Sequence, residues 1–334
     1  MRLAAIASAA LLALAPAQAL AWGATGHRIV GVLGVEALPD EIPAFLRRPG
    51  VAADVGELAR EPDRSKSAGR IHDSDRDAAH FIDVDDAGLV MGGPPLAALP
   101  PTRAEYETAL RAAGSHSWEA GYLYYSLIDG WQQLVKDFGY WRALAAAERL
   151  TEDPQRKAWY AADRARREAL LLRDLGAWAH YVGDASQPLH VSVHFNGWGP
   201  YPNPQGYSTA RVHAPLEGAF VHNNVQIDAV RKHMPAFYSC GCSIESRTAG
   251  YLAETHGTVE QLYQLEKAGA FAGGDPRGRD FNEMILAAAA SELRDLTVEA
   301  WRASAGVTVG WPETPVADIE AGKVDPYEIF YGID

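Results

Sequence analysis

Two histidine–carboxylate pairs are spaced four residues apart: His180 with Asp184, and His213 with Glu217. On a helix that spacing puts both side chains on one face. Imidazole nitrogen and carboxylate oxygen are donors for zinc. One such pair is ordinarily a helix-surface hydrogen bond, but these pairs have company. Gln187-Pro188-Leu189-His190 follows the first, with Pro188 ending the helix and placing His190 on the next segment. Upstream are His80, in Ala79-His80-Phe81-Ile82-Asp83, and Asp63 before it. His27 lies five residues after Trp22. A set of this size can fill several four- or five-coordinate metal positions. His194, four after His190, reads as a loop or supporting histidine. His72-Asp73-Ser74-Asp75 reads as a solvated charged turn, and His116, His222, His233 and His256 have no matching partner. Cys240-Gly241-Cys242 lacks the spacing of a zinc site and reads as two thiols, free or locally paired, without a catalytic role.

Helices must position these residues. The chain has 334 residues, 48% hydrophobic and 22% charged, which excludes a disordered or fibrous protein. The longest helical pattern runs from Gln155 to Ala185, with Leu171, Leu175, Trp178 and Val182 recurring on one stripe and His180 and Asp184 on another. Further helices are expected over 26–36, 103–113, 120–147, 216–233, 249–268 and 281–303. Residues 195–212, with Pro202-Asn203-Pro204 and Gln205-Gly206, read as a long loop. Residues 312–334 read as extended. The expected fold class is all-α, a mainly helical domain around a shared core. A net charge of −13 argues against broad steered binding to nucleic acid or anionic membrane, and leaves room for a local basic cleft.

The N-terminus reads as an export signal. Arg2 precedes an apolar run from Leu3 to Ala15 that is too short to span a bilayer, and Ala19-Leu20-Ala21 is a cleavage site. Residues 1–21 are therefore expected to be removed, leaving a secreted or periplasmic catalytic domain over 22–334 with Trp22 at its start. No later run of about 18 apolar residues appears, so no transmembrane segment is expected.

In order and spacing these motifs resemble the zinc-dependent phospholipase C and single-strand nuclease superfamily (the nucleases of the S-one/P-one type). Trp-Gly-x-x-Gly-His matches Trp22 to His27, and His-Phe-Ile-Asp matches His80 to Asp83. His-x-x-x-Asp followed by Gln-Pro-Leu-His matches His180 to His190, and His-x-x-x-Asp/Glu matches His213 and Glu217. The resemblance implies an all-α fold and three zinc ions. It assigns one to Asp63, His80, His180 and Asp184. The second goes to the Trp22 amine and carbonyl, His27 and a shared oxygen of Asp184, and the third to His190, His213 and Glu217. Two metal ions sharing a carboxylate activate water as a nucleophile, and a third stabilises the leaving oxygen of a phosphodiester. Asp63 is then also a catalytic residue that orients the nucleophile, and Lys66 neutralises a phosphate oxygen. Phe81 is expected to contact substrate, stacking on a base or lining a lipid pocket. Trp198, Tyr201 and Tyr207 read equally as packing or substrate contacts.

Substrate choice divides the chain. The short Trp22-to-His27 spacing is nuclease-like. Pro204-Gln205-Gly206 and a glutamate at 217 are phospholipase-like, and Arg211 stands where the nucleases carry an asparagine near the scissile phosphate, a place from which it can grip phosphate. The leading expectation is a monomeric nuclease acting on single-stranded DNA and RNA. The alternative is a phospholipase C acting on glycerophospholipids, and a non-enzymatic zinc protein stands behind both.

Overall fold

The computed structural model describes residues 22–332. The expected signal segment, 1–21, lies outside them. Among the described residues the only sheet is a two-stranded ribbon, Thr308–Val309 against Thr314–Pro315, so the fold is all-α as expected. No helix among them is long and apolar enough to cross a membrane.

Six helices carry the argument: α1 (Ala24–Glu36), α2 (Val51–Leu58), α3 (Leu123–Leu150), α4 (Pro154–Asp184), α5 (Ile244–His256) and α6 (Pro276–Ala303). The start of α4 is set locally. Asp153 caps it, its carboxylate accepting from the N–H groups of Gln155 and Arg156 at 2.8 and 3.3 Å, and Pro154 sits at the first position, where its missing N–H is harmless. Three residues separate α3 from α4, so the two long helices lie side by side. The expected stripe Leu171, Leu175, Trp178 and Val182 is buried, and Trp178 also donates its indole N–H to the Leu127 carbonyl at 3.0 Å. Gly176 lets α2 come close, because a Cβ there would stand 2.3 Å from the side chain of Leu58. One buried apolar cluster then runs from Trp22 on the N-terminal side to Ala300 near the end of α6.

Three expectations are corrected. The helix expected over 216–233 breaks at Val225 and Gln226, both extended, because Val225 turns inward to the core. The helix expected over 249–268 is two, α5 and Val259–Lys267, and α5 begins earlier because Ser243 caps it. The tail from 312 is not extended throughout. Val316–Glu320 and Tyr327–Tyr331 are helical, and Val316 and Ile319 bury against Ala143 and Ala146 of α3.

Candidate metal centre

The last turn of α4 carries His180 and Asp184, both fully buried. His27, in the first turn of α1, stacks its ring on that of His180 at 3.8 Å between centroids. His80 ends a short 3-10 turn, Asp77–His80, and Asp63 lies in the single-turn helix Glu61–Arg64. The segment after His80 is laid between α3 and the stretch that follows α4. Leu123 donates to the Phe81 carbonyl at 3.0 Å, and Ile82 donates to the His190 carbonyl at 2.8 Å. Gly121 permits this: at φ +73° it has no Cβ, which would otherwise stand 2.0 Å from the Phe81 oxygen.

Asp184 divides its carboxylate between two groups. Its Oδ1 is 3.6 Å from His27 Nε2, while its Oδ2 is 3.1 Å from His80 Nδ1 and 3.2 Å from His180 Nε2. Asp63 completes the second group, with Oδ1 4.0 Å from His180 Nε2. A third group joins His190, His213 and Glu217. The Glu217 Oε1 is 2.8 Å from His213 Nε2 and 3.4 Å from His190 Nε2, and the two nitrogens are 3.1 Å apart. Glu217 sits on a π-helical turn, Pro215–Phe220. The donor atoms of His27, His180 and Asp184, those of Asp63, His80 and His180, and those of His190, His213 and Glu217 each lie within 4.8 Å of one another, so each of these sets could hold a metal ion.

The hydrogen bonds behind these side chains say which atoms are free. His180 Nδ1 donates to the Ala59 carbonyl at 2.8 Å, His190 Nδ1 to the His80 carbonyl at 2.6 Å, and His213 Nδ1 to the Phe195 carbonyl at 2.8 Å. A carbonyl only accepts, so Nδ1 carries a proton in all three, and Nε2 is the nitrogen turned inward, open to a cation when the ring is neutral. That backing is what metal-binding histidines ordinarily have. Facing lone pairs also leave buried atoms without partners: both His27 ring nitrogens, Asp184 Oδ1 and both Glu217 oxygens. Buried polar atoms are rarely left so. The donors are nitrogen and oxygen, no sulfur, and they fit a cation of zinc type.

Burial and its neighbour His180 push the His27 imidazole well below its ordinary pKa, and burial takes His80 down to about 4. Burial is the largest single effect on Asp184 and Asp63 and opposes their ionisation, but His180, His190 and His80 together outweigh it at Asp184, as His180, Lys66 and His27 do at Asp63, and both are held below the usual range. Burial also disfavours the charged form of His190, yet Asp184 and Glu217 outweigh it and hold it up at about 9. Near neutral pH, therefore, His27, His80, Asp63 and Asp184 are already in the deprotonated form that binds a cation.

A cavity of about 550 Å³ opens over the groups. His80, His190 and His213 reach it, as do Lys66, Phe81 and Asp83. Lys66 Nζ is 2.6 Å from Asp63 Oδ1, so it holds that carboxylate as well as facing the cavity. Arg211 does not join them. It is exposed and lines a separate cleft of about 350 Å³ with Phe220, Glu266 and Phe271. Trp22 is fully buried, its indole donating to the Gly183 carbonyl at 2.9 Å, beside Asp184. Gly23 donates to the Glu217 carbonyl at 3.3 Å, so the start of the described chain touches both the Asp184 and Glu217 elements. His194 is occupied elsewhere, between Asp86 and the Trp198 carbonyl and stacked on the Trp198 ring, which accounts for Trp198 as packing. Sequence reading gave no role to several cavity residues, Asp83 and Phe195 among them. Asp83 is buried with an unpartnered Oδ1, and its place three after His80 was the available signal. Phe195 is 45% exposed at the cavity, with no pattern to mark it.

No known family model matches the chain, and no curated protein matches it.

Proposed function

We propose that the chain is a zinc-dependent phosphodiesterase of the kind its motifs resemble, and that it cleaves single-stranded nucleic acid. The observation that carries this reading is the shared carboxylate. Asp184 Oδ1 lies toward His27 and its Oδ2 toward His80 and His180, and His190 and His213 of the third group line the same cavity as His80. Asp63, His80, His180 and Asp184 would hold one ion, His27, Asp184 and the Trp22 amine and carbonyl a second, and the remaining three residues the third. When bound, zinc supplies Lewis-acid chemistry: it makes water nucleophilic at neutral pH and neutralises charge on a phosphate.

The protein's own part is positioning. The backbone carbonyls of Ala59, His80 and Phe195 hold three imidazoles in one orientation, with Nε2 turned inward. Lys66 fixes Asp63, whose carboxylate would orient the attacking water, and the Lys66 ammonium would neutralise an oxygen of a phosphate entering the cavity it lines. Phe81 and Phe195 line the same cavity, where their rings would stack on bases. We propose further that residues 1–21 are removed on export and that the mature chain acts as a monomer.

Phospholipase C remains as a second reading, because Met91 and Leu189 make part of the cavity wall apolar and the glutamate at 217 resembles that of the phospholipases. The chain beginning at Trp22 should be assayed on single-stranded DNA, RNA and phosphatidylcholine vesicles, before chelation, after it and after zinc is restored. Zinc-dependent cleavage of the polynucleotides supports the nuclease. Cleavage of the vesicles alone replaces it with the lipase, and no hydrolysis by a zinc-loaded chain overturns both.

A further inference from the structure

Residues 234–243, between the short helix Ile227–His233 and α5, are exposed for almost their whole length. Such a connection is ordinarily mobile. This one is held at its backbone. Arg294 Nη1 donates to the Pro235 carbonyl at 2.9 Å, the Tyr238 N–H donates to Asp295 Oδ2 at 3.1 Å, and Arg247 Nη1 donates to the Tyr238 carbonyl at 3.1 Å. The three charged side chains that do this are buried. They are tied in turn, Arg247 to Glu292 at 2.7 and 2.9 Å and Arg294 to Asp295 at 2.7 Å. Burying charged groups is costly, and a fold that does so for a surface loop is fixing what the loop presents. It presents the Cys240–Cys242 disulfide, both cysteines exposed, beside Phe237 and Tyr238, which are 40% and 62% exposed.

A cross-link between residues two apart ties no two elements together and removes little chain entropy. Its contribution to folding is therefore slight, while its exposure leaves it open to thiolate attack. The Cys242 N–H lies 3.3 Å from Cys240 Sγ and donates to it. A donor at that sulfur stabilises the negative charge that arrives when the bond breaks, which makes Cys240 the leaving sulfur and Cys242 Sγ the point of attack.

We propose that Cys240 and Cys242 form a thiol–disulfide exchange site that oxidises paired thiols on another polypeptide, independently of the metal groups. A partner thiolate attacks Cys242 Sγ, a mixed disulfide forms as the Cys240–Cys242 bond breaks, and Cys240 leaves as a thiolate and is protonated by solvent. The partner's second thiolate then attacks the partner sulfur of the mixed disulfide, and Cys242 leaves and is protonated. The partner loses two electrons and the cysteine pair gains them. A small-molecule disulfide re-oxidises the pair for the next cycle. Phe237 and Tyr238 supply apolar contact for the partner's chain beside the sulfurs.

The full zinc-loaded chain should be added in catalytic amount to a reduced two-cysteine peptide with oxidised glutathione, and the peptide disulfide followed by mass spectrometry. Peptide oxidation should run about tenfold faster than with oxidised glutathione alone. Cys240→Ser and Cys242→Ser should each remove the gain while circular dichroism and zinc content stay as in wild type. Treating the native chain with reduced glutathione should place the adduct on Cys242. No acceleration by the wild-type chain, or a disulfide that resists millimolar reduced glutathione until urea unfolds the protein, overturns the proposal. An adduct mainly on Cys240 overturns the direction of attack.

Discussion

Replacing Asp184 by asparagine keeps the shape of the side chain and removes the charge that two groups share. The carboxylate is fully buried and faces His80 at 3.1 Å, His180 at 3.2 Å and His27 at 3.6 Å. Breaking a buried charged pair from one side costs about 3–5 kcal/mol. An amide can still accept one of the imidazole contacts, so a loss of roughly 3 kcal/mol is expected in the chelated protein, against a total of about 5–15 for a folded domain. The zinc-loaded proteins should differ by more. Each site filled at 100 times its Kd adds about 2.7 kcal/mol, so losing two sites widens the gap by roughly 5. Urea unfolding followed by tryptophan fluorescence, with zinc and with chelator, measures both differences, and elemental analysis should find about one zinc in the variant against the three expected in the wild type. The sign with pH is set by the lowered Asp184 pKa. Its stabilisation is fully present above the ordinary value near 4 and is lost as pH falls through the lower folded value, so the chelated wild type and variant should converge only in strong acid. Unchanged zinc content, together with the same zinc-induced rise in midpoint, would refute the shared-ligand reasoning.

Glu217→Gln should empty the third group and slow hydrolysis of natural phosphodiesters, while Glu217→Asp should be partly tolerated because the shorter carboxylate keeps the donor; full activity in Glu217→Gln, read in a steady-state assay, would mean the ligand lies elsewhere. Asp83→Asn should leave zinc content unchanged. Because burial raises the Asp83 pKa well above its ordinary value, ionisation weighs against the folded state as pH rises past about 4, so in urea titrations of the chelated protein the variant should match wild type near that pH and exceed it at pH 8. A chain carrying one extra residue before Trp22 should fold but hold one zinc fewer than the chain that begins there, since a peptide N–H has no lone pair to donate; equal zinc in both, with masses verified, would remove the amine from the ligand set.

Helix periodicity made much of the fold readable. The stripe Leu171, Leu175, Trp178 and Val182 buries as its spacing requires, and α4 differs from the expected span by one residue at each end. Boundaries failed where tertiary burial overrode local pattern. Nothing at Val225 and Gln226 announces a break, since neither is glycine or proline, and only the inward turn of Val225 explains it. Likewise Val316 and Ile319 form a helix because α3 offers them Ala143 and Ala146, a neighbour more than 160 residues away in the chain.

The site was legible to different depths for the same reason. His180 with Asp184, and His213 with Glu217, meet because they share a helical turn, which spacing alone decides. That His27, Asp63 and His80 would converge on α4 follows from no spacing; the motif order suggested it through resemblance, and the fold brings each of them to His180. Arg211 shows the limit of adjacency. It stands two residues before His213, yet the chain reaches that histidine from another side, and the guanidinium lines a different cleft. What no motif conveys is the backing of each imidazole by a carbonyl drawn from a distant segment: Ala59 for His180, His80 for His190, Phe195 for His213. Those bonds decide which nitrogen faces inward, and hence whether the histidine–carboxylate sets present lone pairs to a cation or protons to each other. Asp184 Oδ1, both Glu217 oxygens and both His27 ring nitrogens are left without partners, so the architecture around α4 could hold a cation.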